Sequence, residues 1–272
     1  MDRIETVVNH CKNTKLAAQL QAACRAALVG GSIINKLYNN PHTIEMKGVI
    51  NLVTEADVAS ESAIIASLNE DVPGIDIMAE ESAGDNLQAQ AGSVWVIDPL
   101  DGTTNFAHGF PFFAVSIALL KDGVPQVGVV YCPMQDELFS ACRGTGAWLN
   151  GIPIQTTNTK FLVEALVATG FPYDIHKYLD DVLGQMRAIL PKVRDIRRAG
   201  AAAVDLAYVA CGRLDGFWEM DLQPWDTAAG WLLVTEAGGV VTDFSGQVYS
   251  PFSPEILAAN SPLHPLLTDL LG

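Results

Sequence analysis

The stretch Trp95-Val96-Ile97-Asp98-Pro99-Leu100-Asp101-Gly102-Thr103-Thr104 decides how this chain is read. Trp95 to Ile97 is an apolar strand that Asp98-Pro99 ends abruptly, because proline removes a ladder donor and biases the preceding residue to extended backbone. Gly102 permits a sharp turn. Asp98 and Asp101 would point to opposite faces of a straight strand, but across such a turn the two carboxylates can converge. The Leu100 carbonyl is a further candidate oxygen ligand. Gly102, Thr103 and Thr104 offer backbone N–H groups at a helix start, a natural phosphate cradle. Hard oxygen donors of this kind favour Mg²⁺ over zinc. Taken alone, the segment is equally well explained as ordinary turn chemistry, with Thr103 as a helix cap.

Around this stretch, Ser93–Ile97, Phe113–Lys121, Gln126–Cys132 and Glu137–Cys142 read as strands, with Asp122-Gly123 a hairpin signal between the middle pair. Upstream, the first forty residues carry Leu16, Leu20, Ala23, Ala27 and Ile34 at helical intervals. A second helix spans about Asp57 to Leu68, ahead of the turn Asp71-Val72-Pro73-Gly74 and a strand at Asp76-Ile77-Met78. Downstream, strands at Ala165–Thr169, Gly216–Glu219, Val240-Val241 and Ile256–Ala259 alternate with helices at Leu179–Leu190, Ala201–Cys211 and Trp225–Ala237. A hairpin-rich sheet followed by alternating strand and helix predicts an α+β fold of two sheets layered with helices, rather than one parallel sheet. No repeat or linker divides the chain. Residues 1–272 are expected to form a single domain whose halves, about 1–150 and 151–272, share one cleft.

Composition narrows the function classes. The 272 residues can bury a full core, and a hydrophobic fraction of 49% against 17% charged fits a compact fold. No apolar run approaches the roughly 18 residues that cross a bilayer, and the start does not read as a signal peptide, so the expectation is a cytoplasmic protein with no membrane partner. Acidic residues outnumber basic ones 31 to 16, for a net charge of −15, which disfavours nucleic acid as a direct partner. Solubility alone accounts for such a charge; clustered acids that hold cations are the alternative. The five cysteines have no zinc-site or redox spacing and are expected to be buried free thiols.

Three further segments carry acids. Ala79-Glu80-Glu81-Ser82 follows a strand, where paired glutamates usually form a solvated edge. Asn51-Leu52-Val53-Thr54-Glu55-Ala56-Asp57 is a short strand feeding a helix, and Asp57 in its first turn is a favourable dipole placement. Pro224-Trp225-Asp226-Thr227-Ala228-Ala229 opens a helix in which Asp226 can serve as a cap. The Asp-x-Asp-x-Thr pattern of haloacid-dehalogenase-type phosphatases does not fit, since Asp98 and Asp101 are one residue further apart.

Together these pieces resemble the inositol monophosphatase family. The resemblance rests on Trp95 through Phe106, on Trp225-Asp226-Thr227-Ala228-Ala229-Gly230 running through Leu233-Val234-Thr235-Glu236-Ala237-Gly238-Gly239, and on Leu52-Val53-Thr54 with Asp57, Glu80-Glu81-Ser82 and Phe217-Trp218-Glu219. It covers about residues 15 to 265. It implies a layered αβαβα sandwich and a Mg²⁺-dependent phosphomonoesterase acting on inositol monophosphate, with two or three Mg²⁺ per site. Glu80, Asp98 and the Leu100 carbonyl would hold one ion and Asp98, Asp101 and Asp226 a second, with Glu80 bordering a weaker third. Thr103, hydrogen-bonded to Asp57, would orient a metal-activated water. The Gly102 and Thr103 amides would bind phosphate oxygens. Glu219 would bond an inositol hydroxyl, with Asp101 and the loop Gly200-Ala201-Ala202 lining the pocket. Ala201 stands where Ser or Thr is usual, which removes one hydroxyl contact. Lys47 matches a lysine on a loop near the metals, although its spacing to Asp57 is one residue shorter than in some relatives.

The resemblance also implies lithium inhibition and a homodimer. Same-chemistry alternatives are histidinol phosphate, fructose bisphosphate or a nucleotide 3′,5′-bisphosphate as substrate; the different-class alternative is a binding or regulatory protein that keeps the fold. Arg197 and Arg198 fit a pocket, an interface or solvent equally. His108 follows the motif near the cleft, while His10, His42, His176 and His264 are expected at the surface. Trp225 and Trp231 are expected to pack their helix.

Overall fold

The computed structural model describes residues 3–38, 44–47, 51–83 and 91–272, with the backbone alone described for 44–47 and 51–53. The chain begins with two helices, α1 (Arg3–His10) and α2 (Thr14–Leu37). The single helix expected over the first forty residues is therefore interrupted, because the Asn13 side chain accepts from the amides of Lys15 and Leu16 and caps a new start. A two-stranded ribbon follows, β1 (Ile44–Lys47) with β2 (Asn51–Thr54), and leads into α3 (Glu55–Asp71).

A seven-stranded sheet comes next, with its strands side by side in chain order: β3 (Asp76–Ala79), β4 (Ser93–Asp101), β5 (Ala114–Lys121), β6 (Val124–Cys132), β7 (Glu137–Cys142), β8 (Ala147–Leu149) and β9 (Ile152–Ile154). A short helix, α4 (Thr103–Ala107), separates β4 from β5. Only the β3–β4 pair is parallel. The strands β4 to β6 read as nearly continuous apolar runs because both faces of the sheet are covered. Period two divides them: Trp95, Ile97, Val115, Ile117, Leu119, Val127 and Val129 face a core with α2 and α3, while Val94, Val96, Ala114, Ala118, Leu120 and Val130 face the opposite core.

The second sheet has the order β11-β10-β12-β14-β13, built from β10 (Leu166–Thr169), β11 (Asp195–Arg197), β12 (Gly216–Met220), β13 (Val240–Thr242) and β14 (Glu255–Ala259). Its first three strands are parallel and its last two pairings antiparallel. Helices α6 (Ala202–Ala210) and α7 (Pro224–Glu236) fill the layer between the sheets, burying Ala203, Leu206, Ala229 and Leu233 against both. On the far face, α5 (Ile175–Ile189) and α8 (His264–Leu271), with Leu263 just before α8, pack Ile189, Leu263 and Leu267 over Val167, Trp218 and Leu257. The layers thus run helix pair, sheet, helix pair, sheet, helix pair, the αβαβα order expected.

Several local expectations change. Strand β4 does not stop at Asp98-Pro99 but runs on to Asp101. Asp98 pairs with Ser116 and Asp101 with Ala114, so three steps along β4 oppose two along β5. This bulge accommodates the missing proline N–H, and Ser60 steadies it by donating to the Pro99 carbonyl at 3.1 Å. His264 is buried rather than at the surface, its Nε2 2.9 Å from the Thr242 hydroxyl. His10 and His176 are exposed as expected, and His42 lies outside the described residues. Four of the five cysteines are buried and all are free; Cys211 is half-buried. Trp225 is buried and Trp231 stacks edge-on against Tyr249, so both pack their helix. Among the described residues no helix is long and apolar enough to cross a membrane.

Candidate active site

The bulge in β4 is where the sequence first brings chemistry together. Asp98 is the last paired residue before the bulge, and its Oδ1 accepts from the Leu100 amide at 2.9 Å. Asp101 ends the strand. Its Oδ2 accepts from the Ala203 amide at 2.8 Å, and the amides of Ala202 and Val204 also favour its charged form. Ala201, the residue preceding α6, supplies no side-chain cap, so Asp101 performs that service from a distant strand. One carboxylate thereby joins the two halves of the chain.

Gly102 follows with φ +95°, a conformation side chains rarely adopt, and the spatial constraint is as strong. A Cβ there would lie 3.0 Å from the Phe112 carbonyl oxygen and 3.3 Å from the Ala201 methyl. The turn therefore sits directly against the Gly200-Ala201-Ala202 loop. Asn105 fastens the same junction: its amide nitrogen lies 2.7, 2.9 and 3.2 Å from the carbonyls of Phe112, Ala199 and Gly200.

Asp57 and Thr103 meet below this turn. The fully buried Asp57 accepts from the Thr54 amide at 2.8 Å and the Thr54 hydroxyl at 2.7 Å through Oδ2. Its Oδ1 lies 2.9 Å from the Thr103 hydroxyl, which is also 3.1 Å from the Leu100 carbonyl oxygen. The Thr103 hydroxyl has one proton, so it donates to one of these acceptors at a time. Asp57 thus caps α3 and holds Thr103 at once; the capping and functional readings of this residue are compatible. Burial pushes its carboxyl up, against the bonds from Thr54 and Thr103.

Asp226 enters from the first turn of α7, where its Oδ2 accepts from the Gln223 amide at 2.7 Å. Glu80 enters from the end of β3, its amide donating to the Ile97 carbonyl at 3.1 Å in continuation of the strand pairing. The four acids interact strongly. Burial, then the charges of Glu80, Asp101 and Asp226, pushes Asp98 well above the usual carboxylate range. Burial raises Asp101 to about 7. Burial and then the Asp101 charge raise Asp226 to about 7, and a hydrogen bond with the Asp98 side chain opposes this. Acids this crowded share protons unless cations are present.

Among the described residues no three such side chains are closed into a ready-made metal cage. The acids are nonetheless coupled by charge, and with the Leu100 carbonyl they form an all-oxygen donor set. Such a set fits Mg²⁺, whose charge would relieve the repulsion and which keeps waters in its shell rather than requiring a complete protein cage.

Glu219 projects from β12 toward the same region and is 9% exposed. Burial, then the charges of Asp226 and Asp205, drives its carboxyl upward, while Arg198 opposes that. Arg198 therefore lies within charge range of Glu219, with its guanidinium 4.9 Å from the Phe171 ring centre, whereas Arg197 pairs with Asp195 at the exposed edge of β11. Gly200, Ala201 and Ala202 line the α6 start beside Gly102. His108 is exposed just after α4. The Lys47 side chain lies outside the described residues.

Three residues near the site were not singled out by the sequence reading. Tyr173 is 58% exposed near these acids, yet burial of its hydroxyl end, then the charges of Asp226, Glu80, Asp98 and Asp101, push that hydroxyl upward. Asn105 lies within the Trp95–Phe106 motif but carried no assigned role. Asp205, 2% exposed, is the single charged residue on an otherwise apolar α6, and that incongruity was the available signal.

The sequence model of the inositol monophosphatase family matches residues 15–271. A protein of Escherichia coli (strain K12) named Nus factor SuhB is 45% identical over 243 residues, covering 89% of this chain and 91% of that protein. An inositol-1-monophosphatase of Synechocystis is 43% identical over 258 residues, covering 94% and 90%. The solved structure of an inositol monophosphatase from Anabaena (Nostoc) superposes with a TM-score of 0.85 at 40% identity, covering 94% of this chain and 96% of that one.

Proposed function

The chain belongs to the inositol monophosphatase family, and from that premise we propose that it is a Mg²⁺-dependent phosphomonoesterase that hydrolyses inositol monophosphate to inositol and phosphate. The observation that carries this reading is the neighbourhood of Glu80, Asp98, Asp101 and Asp226 beside the Thr103–Asp57 hydrogen bond. Glu80, Asp98 and the Leu100 carbonyl would hold one Mg²⁺, and Asp98, Asp101 and Asp226 a second, with Glu80 at the border of a third. When bound, Mg²⁺ neutralises the acids and lowers the pKa of a coordinated water.

The protein's own groups do the rest. Asp57 holds the Thr103 hydroxyl, which orients the attacking water and passes its proton toward that carboxylate. The Gly102 and Thr103 amides bind phosphate oxygens, and the left-handed turn at Gly102 keeps them directed at the pocket. Glu219 accepts from a hydroxyl of the leaving polyol, and Lys47 attracts the incoming phosphate. The two halves of the chain work as one unit, since Asp101 and Asp226 come from different halves. A homodimer in the cytoplasm completes the reading, on the family resemblance alone.

Phosphate release from a panel of inositol 1-phosphate, histidinol phosphate, fructose 1,6-bisphosphate and a nucleotide 3′,5′-bisphosphate tests the substrate. Faster turnover of any of the last three would overturn the choice of inositol phosphate. The name Nus factor SuhB, borne by relatives at 45% identity, supports a second role as a binding protein alongside hydrolysis. Asp98→Asn separates the two: a hydrolysis-dead chain that still replaces that relative in its own host would establish the binding role.

A further inference from the structure

We infer that Gly170 is a specificity-positioning residue: its missing side chain is the seat in which the Glu219 carboxylate stands. The inference rests on the reading of Glu219 as the group that accepts from the polyol. Strands β10 and β12 run parallel with Thr169 opposite Trp218, so Gly170 and Glu219 are the residues that follow this last pair on neighbouring chains of the sheet. The Thr169 hydroxyl closes the junction by donating to the Trp218 carbonyl at 2.8 Å. A Cβ on Gly170 would fall 2.0 Å from Glu219 Oε2 and 2.1 Å from both Cδ and Oε1. The whole carboxylate occupies the space a methyl group would take.

A surface glutamate could swing away from such a methyl at little cost. Glu219 is buried, and the directions open to it are charged. The charges of Asp226, Asp205 and Asp101 all act on it, and moving toward any of them brings like charges together. Arg198 is the cation facing it, and that guanidinium is itself confined. It lies over the ring of Phe171, the residue after Gly170, and its Nη1 is 2.6 Å from where a Cβ on Gly200 would sit. The Gly170-Phe171 turn therefore provides both the space for the carboxylate and the platform for its counter-charge. Neither Gly170 nor Glu219 is among the groups assigned to the metals, the water or the phosphate, so the effect is expected on the alcohol side of the substrate.

The test compares Gly170→Ala, Glu219→Gln and the double variant on inositol 1-phosphate and on p-nitrophenyl phosphate, which has no polyol hydroxyls. Gly170→Ala is expected to lower kcat/KM for inositol 1-phosphate about tenfold or more, mainly through KM, and to leave p-nitrophenyl phosphate within about twofold. In the Glu219→Gln background the same substitution is expected to add no further selective loss, because the group it displaces is already disabled. Equal losses on both substrates from Gly170→Ala, with Glu219→Gln still selective, would overturn the inference and leave the substrate reading intact. An unselective Glu219→Gln would overturn both. Should Gly170→Ala alone not fold, Gly170→Ala with Glu219→Asp must restore a soluble protein, since the shorter acid vacates the space. Failure of that rescue would also overturn the inference.

Discussion

Replacing Thr103 with valine keeps the shape of the side chain and removes one hydroxyl. The Asp57 Oδ1 then loses its donor at 2.9 Å, while Oδ2 keeps both bonds from Thr54. Asp57 is fully buried, so solvent does not replace the lost donor. A hydrogen bond to a buried charged group contributes about 1.5–3 kcal/mol. For a chain of this size that corresponds to a fall in Tm of about 3–12 °C. Turnover should fall further than stability alone explains, because positioned proton transfer contributes about 10²–10⁴-fold. The pH profile carries the sign. Burial already pushes the Asp57 carboxyl up, and the Thr103 bond is one of the forces opposing that. Without it the acid titrates at higher pH, and because the ionised form accepts the proton, the acid limb of kcat moves to higher pH. Thermal melts and a kcat–pH series on Thr103→Val, with Thr103→Ser as the hydroxyl-retaining control, measure both effects. A valine variant with lowered Tm but kcat within about threefold of the serine variant would refute the catalytic role of the hydroxyl.

Asp98→Asn should abolish turnover and raise the Tm of the Mg²⁺-free protein, because it removes one of four mutually repelling acids; saturating Mg²⁺ should then stabilise the variant less than the parent, as read by parallel melts. Lowered Tm in chelator, or retained turnover in saturating Mg²⁺, would count against Asp98 as a ligand. Burial depresses the pKa of His264, so its contribution to stability is complete above the unfolded value near 6.5 and is lost as pH falls from there through the lower folded value. Denaturant titrations from pH 8 to 5 should show His264→Gln losing less stability over that window than the parent; parallel curves would exclude the effect. Li⁺ titrated during turnover should inhibit by competing for a Mg²⁺ position, and unaltered rates at high Li⁺ would remove that expectation.

The layering was legible because its signals are local and periodic. The strands β4 to β7 alternate between two cores, and the hairpin at Asp122-Gly123 sets their order. The three-residue strands β8, β9 and β11 were not, since so few residues show no alternation. Pro99 misled in an instructive way: it ends a regular ladder, but the opposing strand tolerates one extra residue, and that bulge aims Asp98 and Asp101. The acids of the site stood out by motif, although their capping duties were an equally good account of Asp57 and Asp226 until the partners across the fold were known. Asp101 capping α6, the Gly170–Glu219 contact and the burial of His264 join residues 49 to 102 positions apart, or depend on packing between layers. No window of sequence contains such pairs.

The acids around the Asp98–Asp101 bulge are proposed to serve a Mg²⁺-dependent hydrolysis. Phosphate release from inositol 1-phosphate, measured on the full chain stripped with a chelator and then titrated with Mg²⁺, tests it most directly. No turnover is expected in chelator, with a saturable return on adding Mg²⁺ that Asp226→Asn does not share. Undiminished turnover in chelator, or none toward any phosphate monoester at saturating Mg²⁺, would contradict it.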